Sequence, residues 1–319
     1  MILYKRIQAY IDCEWGSDNK TLSLQVLLRY GKSGLARYIV FHEDLKEFLK
    51  SKNYSEGLLQ GMNARLLFSD FSPSKDVLTE LIYSHLKRIE LPLEKEGIKC
   101  DLYMFFSPKD LTIAIGKTSF LDLITQKTRG GYRIEQKRTL RGSFSQVLEN
   151  GFKIDYKIKD VAGWTNKGLK HLADSLSVPT VEKSLLDDYK SRMEDGLVHC
   201  TDDFIKYALN DVDLLERIVR SKVRMVNWLC KDIFSLNKSY NLSTIPMSQG
   251  SLVSDVFITY LYSLLDKSVK YSAVDRERVL TAAFCKLGLL KKDASRFEEN
   301  FFLLKKALHF FRQKQSFWI

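Results

Sequence analysis

Over the first forty positions apolar and polar residues alternate with a period of two, which predicts strands at residues 3–15, 22–30 and 36–41. The connections, Gly16-Ser17-Asp18-Asn19 and Gly31-Lys32-Ser33-Gly34, are turn-forming and short, so the three strands read as an antiparallel meander. Beyond them the period lengthens. A short helix is predicted at 43–50 and a longer one at 74–91, where Val77, Leu78, Leu81, Ile82, Leu86 and Ile89 recur at helical spacing behind Ser72-Pro73-Ser74. A strand at 100–106 leads into a helix at 109–126. Residues 132–140 and 152–161 alternate again, and the first of these runs lies in a basic stretch with Arg129, Arg133, Lys137, Arg138 and Arg141, read as a protruding hairpin. From Asn166 onward the pattern is almost wholly helical, with breaks near Val178-Pro179, Asp195-Gly196, 237–247 and 267–272. Three antiparallel strands, then strand and helix alternation, then helices, define an α/β layer domain with a mixed sheet. The expected division is a domain over 1–220 and a basic, mainly helical region over 221–319.

Composition narrows the class. The 319 residues, 45% hydrophobic and 28% charged, exclude collagen-like, low-complexity and wholly disordered chains. No run approaches 18 consecutive apolar residues, so no spanning helix and no membrane partner are expected, and residues 1–15 lack the apolar stretch of a signal peptide. The expected location is intracellular, cytoplasmic or organellar. Cys13, Cys100, Cys200, Cys230 and Cys285 stand far apart with no Cys-x-x-Cys pair, so they read as reduced thiols rather than a zinc site or disulfide framework. The net charge of +11 is a property of the C-terminal third. Residues 1–215 carry 32 Lys and Arg against 30 Asp and Glu, whereas residues 216–319 carry 18 against 9. Such a segment suits phosphate contact, where neutralisation releases counterions, and equally suits a solvated lysine-rich surface.

Two local patterns carry chemistry. In Tyr10-Ile11-Asp12-Cys13-Glu14-Trp15 an apolar strand bears carboxylates at i and i+2, which strand geometry points to one face. Side-by-side like charges repel, so the pattern reads either as an edge strand wetting two acids or as a cation site. In the helix predicted behind Thr201 as N-cap, Tyr207 and Asp211 are i and i+4 and share a helical face.

An acid-x-acid on a first strand and Tyr-x-x-x-Asp on a late helix resemble the first and third motifs of the DEDD exonucleases of the DnaQ-like, ribonuclease H fold superfamily, in the variant that carries tyrosine. The family's second motif has an aspartate between them, for which Asp110 in Phe105-Phe106-Ser107-Pro108-Lys109-Asp110-Leu111 is the candidate and Asp101 the alternate. The wide spacing is similar to that of the proofreading domain of family B DNA polymerases. Gly168-Leu169-Lys170-His171-Leu172-Ala173 and Val181-Glu182-Lys183-Ser184-Leu185-Leu186-Asp187-Asp188-Tyr189 resemble the protein-primed branch of phages, linear plasmids and organelles. The likeness covers roughly residues 5–220. The sequence departs from the family at Phe106, where an asparagine is usual four residues before the aspartate, and at Trp15, where a threonine is common.

The resemblance implies a ribonuclease H-like fold and 3′–5′ exonuclease activity with two Mg²⁺ or Mn²⁺ ions held by Asp12, Glu14, Asp110 and Asp211. It further implies that Tyr207 orients the attacking water and that Lys183 neutralises the scissile phosphate. Trp15 and Phe106 are the expected stacking contacts to unpaired bases, and Arg133, Lys137 and Arg138 the expected phosphate contacts. The expected partners are single-stranded or primer-template DNA and a polymerase module on another chain. Polymerase palm motifs such as Ser-Leu-Tyr-Pro and Asp-Thr-Asp are absent, so no synthesis is expected. The competing reading is a catalytically decayed nucleic-acid-binding or replication-complex protein that keeps the fold.

Overall fold

The computed structural model describes residues 6–31, 33–59, 61–90, 97–105, 108–125, 127–128, 131–132, 134–136, 139–180 and 186–263. The meander forms as the alternation dictates: β1 (Arg6–Trp15), β2 (Thr21–Tyr30) and β3 (Gly34–His42) pair antiparallel, with Asp12 opposite Gln25 and Glu14 opposite Ser23. Helix α1 (Lys46–Ser51) leads to β4 (Gly57–Leu59) and β5 (Ala64–Ser69), the latter parallel to β3. Helix α2 (Val77–Arg88) precedes β6 (Ile98–Met104), which pairs parallel with β1. Helices α3 (Pro108–Ile115) and α4 (Lys117–Thr125) follow. A two-stranded ladder of β7 (Lys127–Thr128) and β8 (Gly131–Tyr132) comes next, then β9 (Ile134–Gln136), β10 (Leu140–Val147) and β11 (Lys153–Asp160). The main sheet is mixed and runs β4-β5-β3-β2-β1-β6-β11-β10-β9, with β11 parallel to β6. Helices α5 (Leu169–Ser175), α6 (Met193–His199), α7 (Thr201–Trp228) and α8 (Gln249–Ser263) complete the described elements. None of the described helices is long and apolar enough to cross a membrane.

Strand alternation sorts the sheet into two faces. Ile7, Ala9, Ile11 and Cys13 of β1 join Leu24, Val26 and Leu28 of β2 in an apolar core with α2, α3 and α4. The opposite face presents Tyr10, Asp12 and Glu14, flanked by a second core in which Ile39 and Phe41 of β3 meet Leu197 of α6 and Phe204 and Ala208 of α7. Helix α7 is pinned to this face by two ion pairs, Arg29 Nε to Glu216 Oε1 at 2.6 Å and Arg37 Nε to Asp213 Oδ1 at 2.9 Å. The first is almost fully shielded, so removing either partner would strand a charge.

The chain divides into two units, Met1–Ser221 and Lys222–Ile319. Within the second, the Asn227 side chain both donates to and accepts from the Tyr240 backbone, and Asp255 takes Lys238 and the Tyr240 hydroxyl at 2.8 and 2.7 Å.

Several elements differ from expectation for local reasons. The helix expected at 109–126 is two helices, because Gly116 adopts φ +81° and a Cβ there would lie 2.8 Å from the Pro73 carbonyl oxygen. Strands β4 and β5 were unanticipated; both are short and β5 owes its order to pairing with β3 rather than to a clear alternation of its own. Of the strand expected at 132–140, the described residues belong to β8, β9 and the start of β10, and β10 pairs with β11 as a hairpin in the main sheet. Thr201 does not cap α7: its Oγ1 donates to the Leu197 carbonyl at 2.8 Å.

Helix α2 begins at a true cap. Asp76 accepts from the Thr79 backbone N–H at 2.9 Å and from Thr79 Oγ1 at 2.7 Å, and Thr79 Oγ1 also meets the Tyr156 hydroxyl of β11 at 2.9 Å. Burial nevertheless raises the Asp76 carboxyl to about 6, against those two hydrogen bonds. A carboxyl raised in the fold stabilises fully below its unfolded value, near 3.8, and loses that contribution as pH rises through about 6. Chemical denaturation should therefore show Asp76→Ala about 1 kcal/mol less stable than wild type. Asp76→Asn keeps the cap, and its advantage over wild type should widen between pH 4 and 7.

A carboxylate cluster on the α7 face of the sheet

Three carboxylates meet at the end of β1. Oxygens of Asp12, Glu14 and Asp211 all lie within 4.8 Å of one another. The pairing of Asp12 and Glu14 follows from the strand's period of two, and Asp211 arrives because α7 crosses that face with its Tyr207–Asp211 side turned inward. Glu14 is 8% exposed and Asp211 4%, while Asp12 is half-buried, so bulk water screens their mutual repulsion only in part. Three hard oxygen donors converging in this way suit Mg²⁺, Mn²⁺ or Ca²⁺ and would be poor ligands for a soft metal.

Tyr207 is part of the same group. Its hydroxyl donates to the Asp211 carboxylate, and burial followed by the charges of Asp211, Glu14 and Asp12 drives its pKa far above the ordinary phenol range. In the absence of a cation Tyr207 is thus a hydrogen-bond donor to Asp211.

Asp110 is not among the three acids whose oxygens lie within 4.8 Å of one another. It sits in the first turn of α3 at 4% exposure, hydrogen-bonded to the Cys13 thiol. Cys13 points to the α2–α4 face, because strand neighbours alternate, and so turns away from Asp12 and Glu14. Burial, then the charges of Asp110, Asp12 and Glu14, hold that thiol well above its usual pKa. Asp101, the alternate candidate, is fully buried on β6 and held by Arg6 Nη1 at 3.1 Å. Trp15 lies past a bulge at Glu14/Trp15, packs against the α2–α4 core, and carries Lys109 Nζ 5.2 Å from its ring centre. Phe106, Arg133, Lys137, Arg138 and Lys183 lie outside the described residues.

Sequence reasoning missed the polar bed beneath the acids. Gln25 and Ser23 of β2, fully buried, stand opposite Asp12 and Glu14 and share a hydrogen bond of 2.6 Å, leaving Gln25 Oε1 without a partner. From α7, Asn210 accepts from Arg217 at 3.1 Å while its Nδ2 is buried and unpartnered. The signal was available: Thr21, Ser23 and Gln25 put a polar residue at every second position of an otherwise apolar strand.

The fold and site together define an α/β protein with a carboxylate cluster on one face of a mixed sheet. No family model matches the chain, and no curated protein does. Among solved structures it is similar to phi29 DNA polymerase complexed with primer-template DNA and incoming nucleotide substrates, a ternary complex, at TM-score 0.33 and 11% identity. The match covers 88% of this chain and 39% of the polymerase, so the chain spans well under half the length of that protein.

Cation binding at the cluster predicts a linkage effect. Thermal unfolding in rising Mn²⁺ should stabilise the wild type, by about 2.7 kcal/mol at one hundred times the dissociation constant. Asp12→Ala and Asp211→Ala should flatten that response. Without divalent ions Asp211→Asn should unfold at a higher temperature than wild type, because one of three crowded charges is gone while an acceptor for Tyr207 remains.

Proposed function

We propose that the protein is a metal-dependent 3′–5′ exonuclease that hydrolyses phosphodiester bonds at DNA 3′ ends, and that its catalytic domain, residues 1–220, has a ribonuclease H-like fold. The carrying observation is the convergence of Asp12, Glu14 and Asp211 from separate elements, with Tyr207 one helical turn from Asp211. The central strand order supports the fold: three antiparallel strands, then two strands parallel to the first. Residues 221–319, with their basic excess, are assigned to contact with nucleic acid or with a polymerase module on another chain.

In this reading Asp12, Glu14 and Asp211 hold Mg²⁺ or Mn²⁺. The ions supply Lewis-acid stabilisation of the charge that develops on the phosphate and leaving oxygen. Tyr207 holds the Asp211 carboxylate through its hydroxyl and is proposed to orient the attacking water. The polar side chains of Ser23 and Gln25 support the strand beneath the acids. Lys183 is proposed to neutralise the scissile phosphate, and Trp15, Phe106, Arg133, Lys137 and Arg138 to contact the strand. Because phosphates carry no base information, little sequence preference is expected.

The second reading is a binding protein that has lost hydrolysis; it draws on Asp110, the fourth acid of the resemblance, whose carboxylate is hydrogen-bonded to the Cys13 thiol. A 3′ end-labelled oligonucleotide separates the two. With Mn²⁺ the wild type should release labelled nucleoside monophosphate, Asp12→Ala should be slower by about 10² to 10³-fold, and Tyr207→Phe by about tenfold. Oligonucleotide binding without metal-dependent loss of label would establish the binding reading. Equal loss from wild type and Asp12→Ala would reject the assignment of the site.

A further inference from the structure

The sheet has a second polar locus on its other face. There Tyr38 and Val40 of β3, Arg65 and Leu67 of β5 and one side of α2 line an open cavity of about 290 Å³, close to the smallest small-ligand sites. Tyr38 and Val40 belong to the α2–α4 core, so strand alternation sets this cavity across the sheet from Asp12 and Glu14.

Its cations are unusual in what they lack. Lys75 reaches Asp70 at 3.3 Å, but neither Arg65 nor Arg88 has a carboxylate partner among the described residues. Glu56 and Glu80 also line the cavity, yet both are exposed to water and bridge neither arginine. Arg88 is held by other means. It donates through Nη2 to the Tyr38 hydroxyl and to His85 Nδ1 at 3.0 Å, with its guanidinium 5.6 Å from the Tyr38 ring centre.

These contacts fix the tautomer of His85. Arginine can only donate, so Nδ1 is the acceptor and the ring proton sits on Nε2. Burial, aided by Arg88, lowers the His85 pKa to about 4, which keeps the ring neutral. His85 is 3% exposed, and its Nε2 is buried with no hydrogen-bond partner. The cavity wall thus combines two guanidiniums, which no carboxylate of the described residues pairs, with apolar surface from Val40, Leu67 and Leu81. Guanidinium forks match phosphate oxygens.

We infer that this cavity binds a small phosphomonoester, with Arg65 and Arg88 on the phosphate oxygens and Val40, Leu67 and Leu81 against its organic body. The site is separate from the acid cluster and does not rest on the nuclease reading. Isothermal titration of the full chain in EDTA, with thymidine monophosphate and with inorganic phosphate as probes, tests it without involving divalent metal. Thymidine monophosphate should bind, inorganic phosphate should bind more weakly and compete with it, and Arg65→Gln and Arg88→Gln should each weaken binding by about tenfold. Both arginines are partly solvent-facing, and circular dichroism of each variant establishes that it is folded. Three outcomes overturn the proposal: neither probe binds at millimolar concentration, binding is unchanged in both folded variants, or an unphosphorylated oligonucleotide binds in an Arg65-dependent manner while the monophosphate does not.

Discussion

Repulsion among the carboxylates of Asp12, Glu14 and Asp211 is the constraint to which the surrounding structure answers. Two of the acids cannot separate, because residues two apart on a strand share a face, and the third is delivered by a helix that could pack in many registers. What fixes the register is a line of charge pairing further along α7. Glu216 and Asp213 take Arg29 of β2 and Arg37 of β3, so the helix that brings the third acid is tied to the strands beside the one that carries the first two. Apolar contact of Phe204 and Ala208 with Ile39 and Phe41 supplies the burial that makes those charge pairs hard to break. Under this clamp the acids stay together at the expense of local stability, which is the usual signature of a site kept for what it binds.

The same sheet serves two chemistries because its strands alternate. One face of β1 gives Asp12 and Glu14, and the other gives Cys13, whose thiol engages Asp110. On β3, Ile39 and Phe41 pack under α7 while Tyr38 and Val40 help form the cationic cavity beneath α2. The carboxylate cluster and the Arg65–Arg88 cavity thus lie on opposite sides of one layer.

Much of this was legible in the chain itself. Periodicity gave the meander, helix α2 and the shared face of Asp12 and Glu14, and helical spacing paired Tyr207 with Asp211. Convergence was not legible, since nothing in local pattern says that α7 crosses the end of β1; a family resemblance carried that expectation for three acids. For Asp110 it named a motif position, while the hydrogen bond to the Cys13 thiol had no sequence signal, because contacts in the first turn of α3 are set by how that helix packs. Strands β4 and β5 escaped notice since their order comes from pairing with a partner strand. The polar bed of Ser23 and Gln25 was missed for a different reason: alternation was read as evidence of a strand and not asked which face it wetted. The Arg65 and Arg88 pair had no sequence signal, as the lack of a carboxylate partner among the described residues exists only in three dimensions.

The most direct test of the clustered acids is anomalous diffraction from crystals grown or soaked with Mn²⁺. An anomalous peak within about 2.5 Å of oxygens from Asp12, Glu14 and Asp211, and absent from an Asp211→Ala crystal, is the expected result. Well-ordered acids with no manganese between them, or manganese bound only elsewhere on the molecule, would contradict the account.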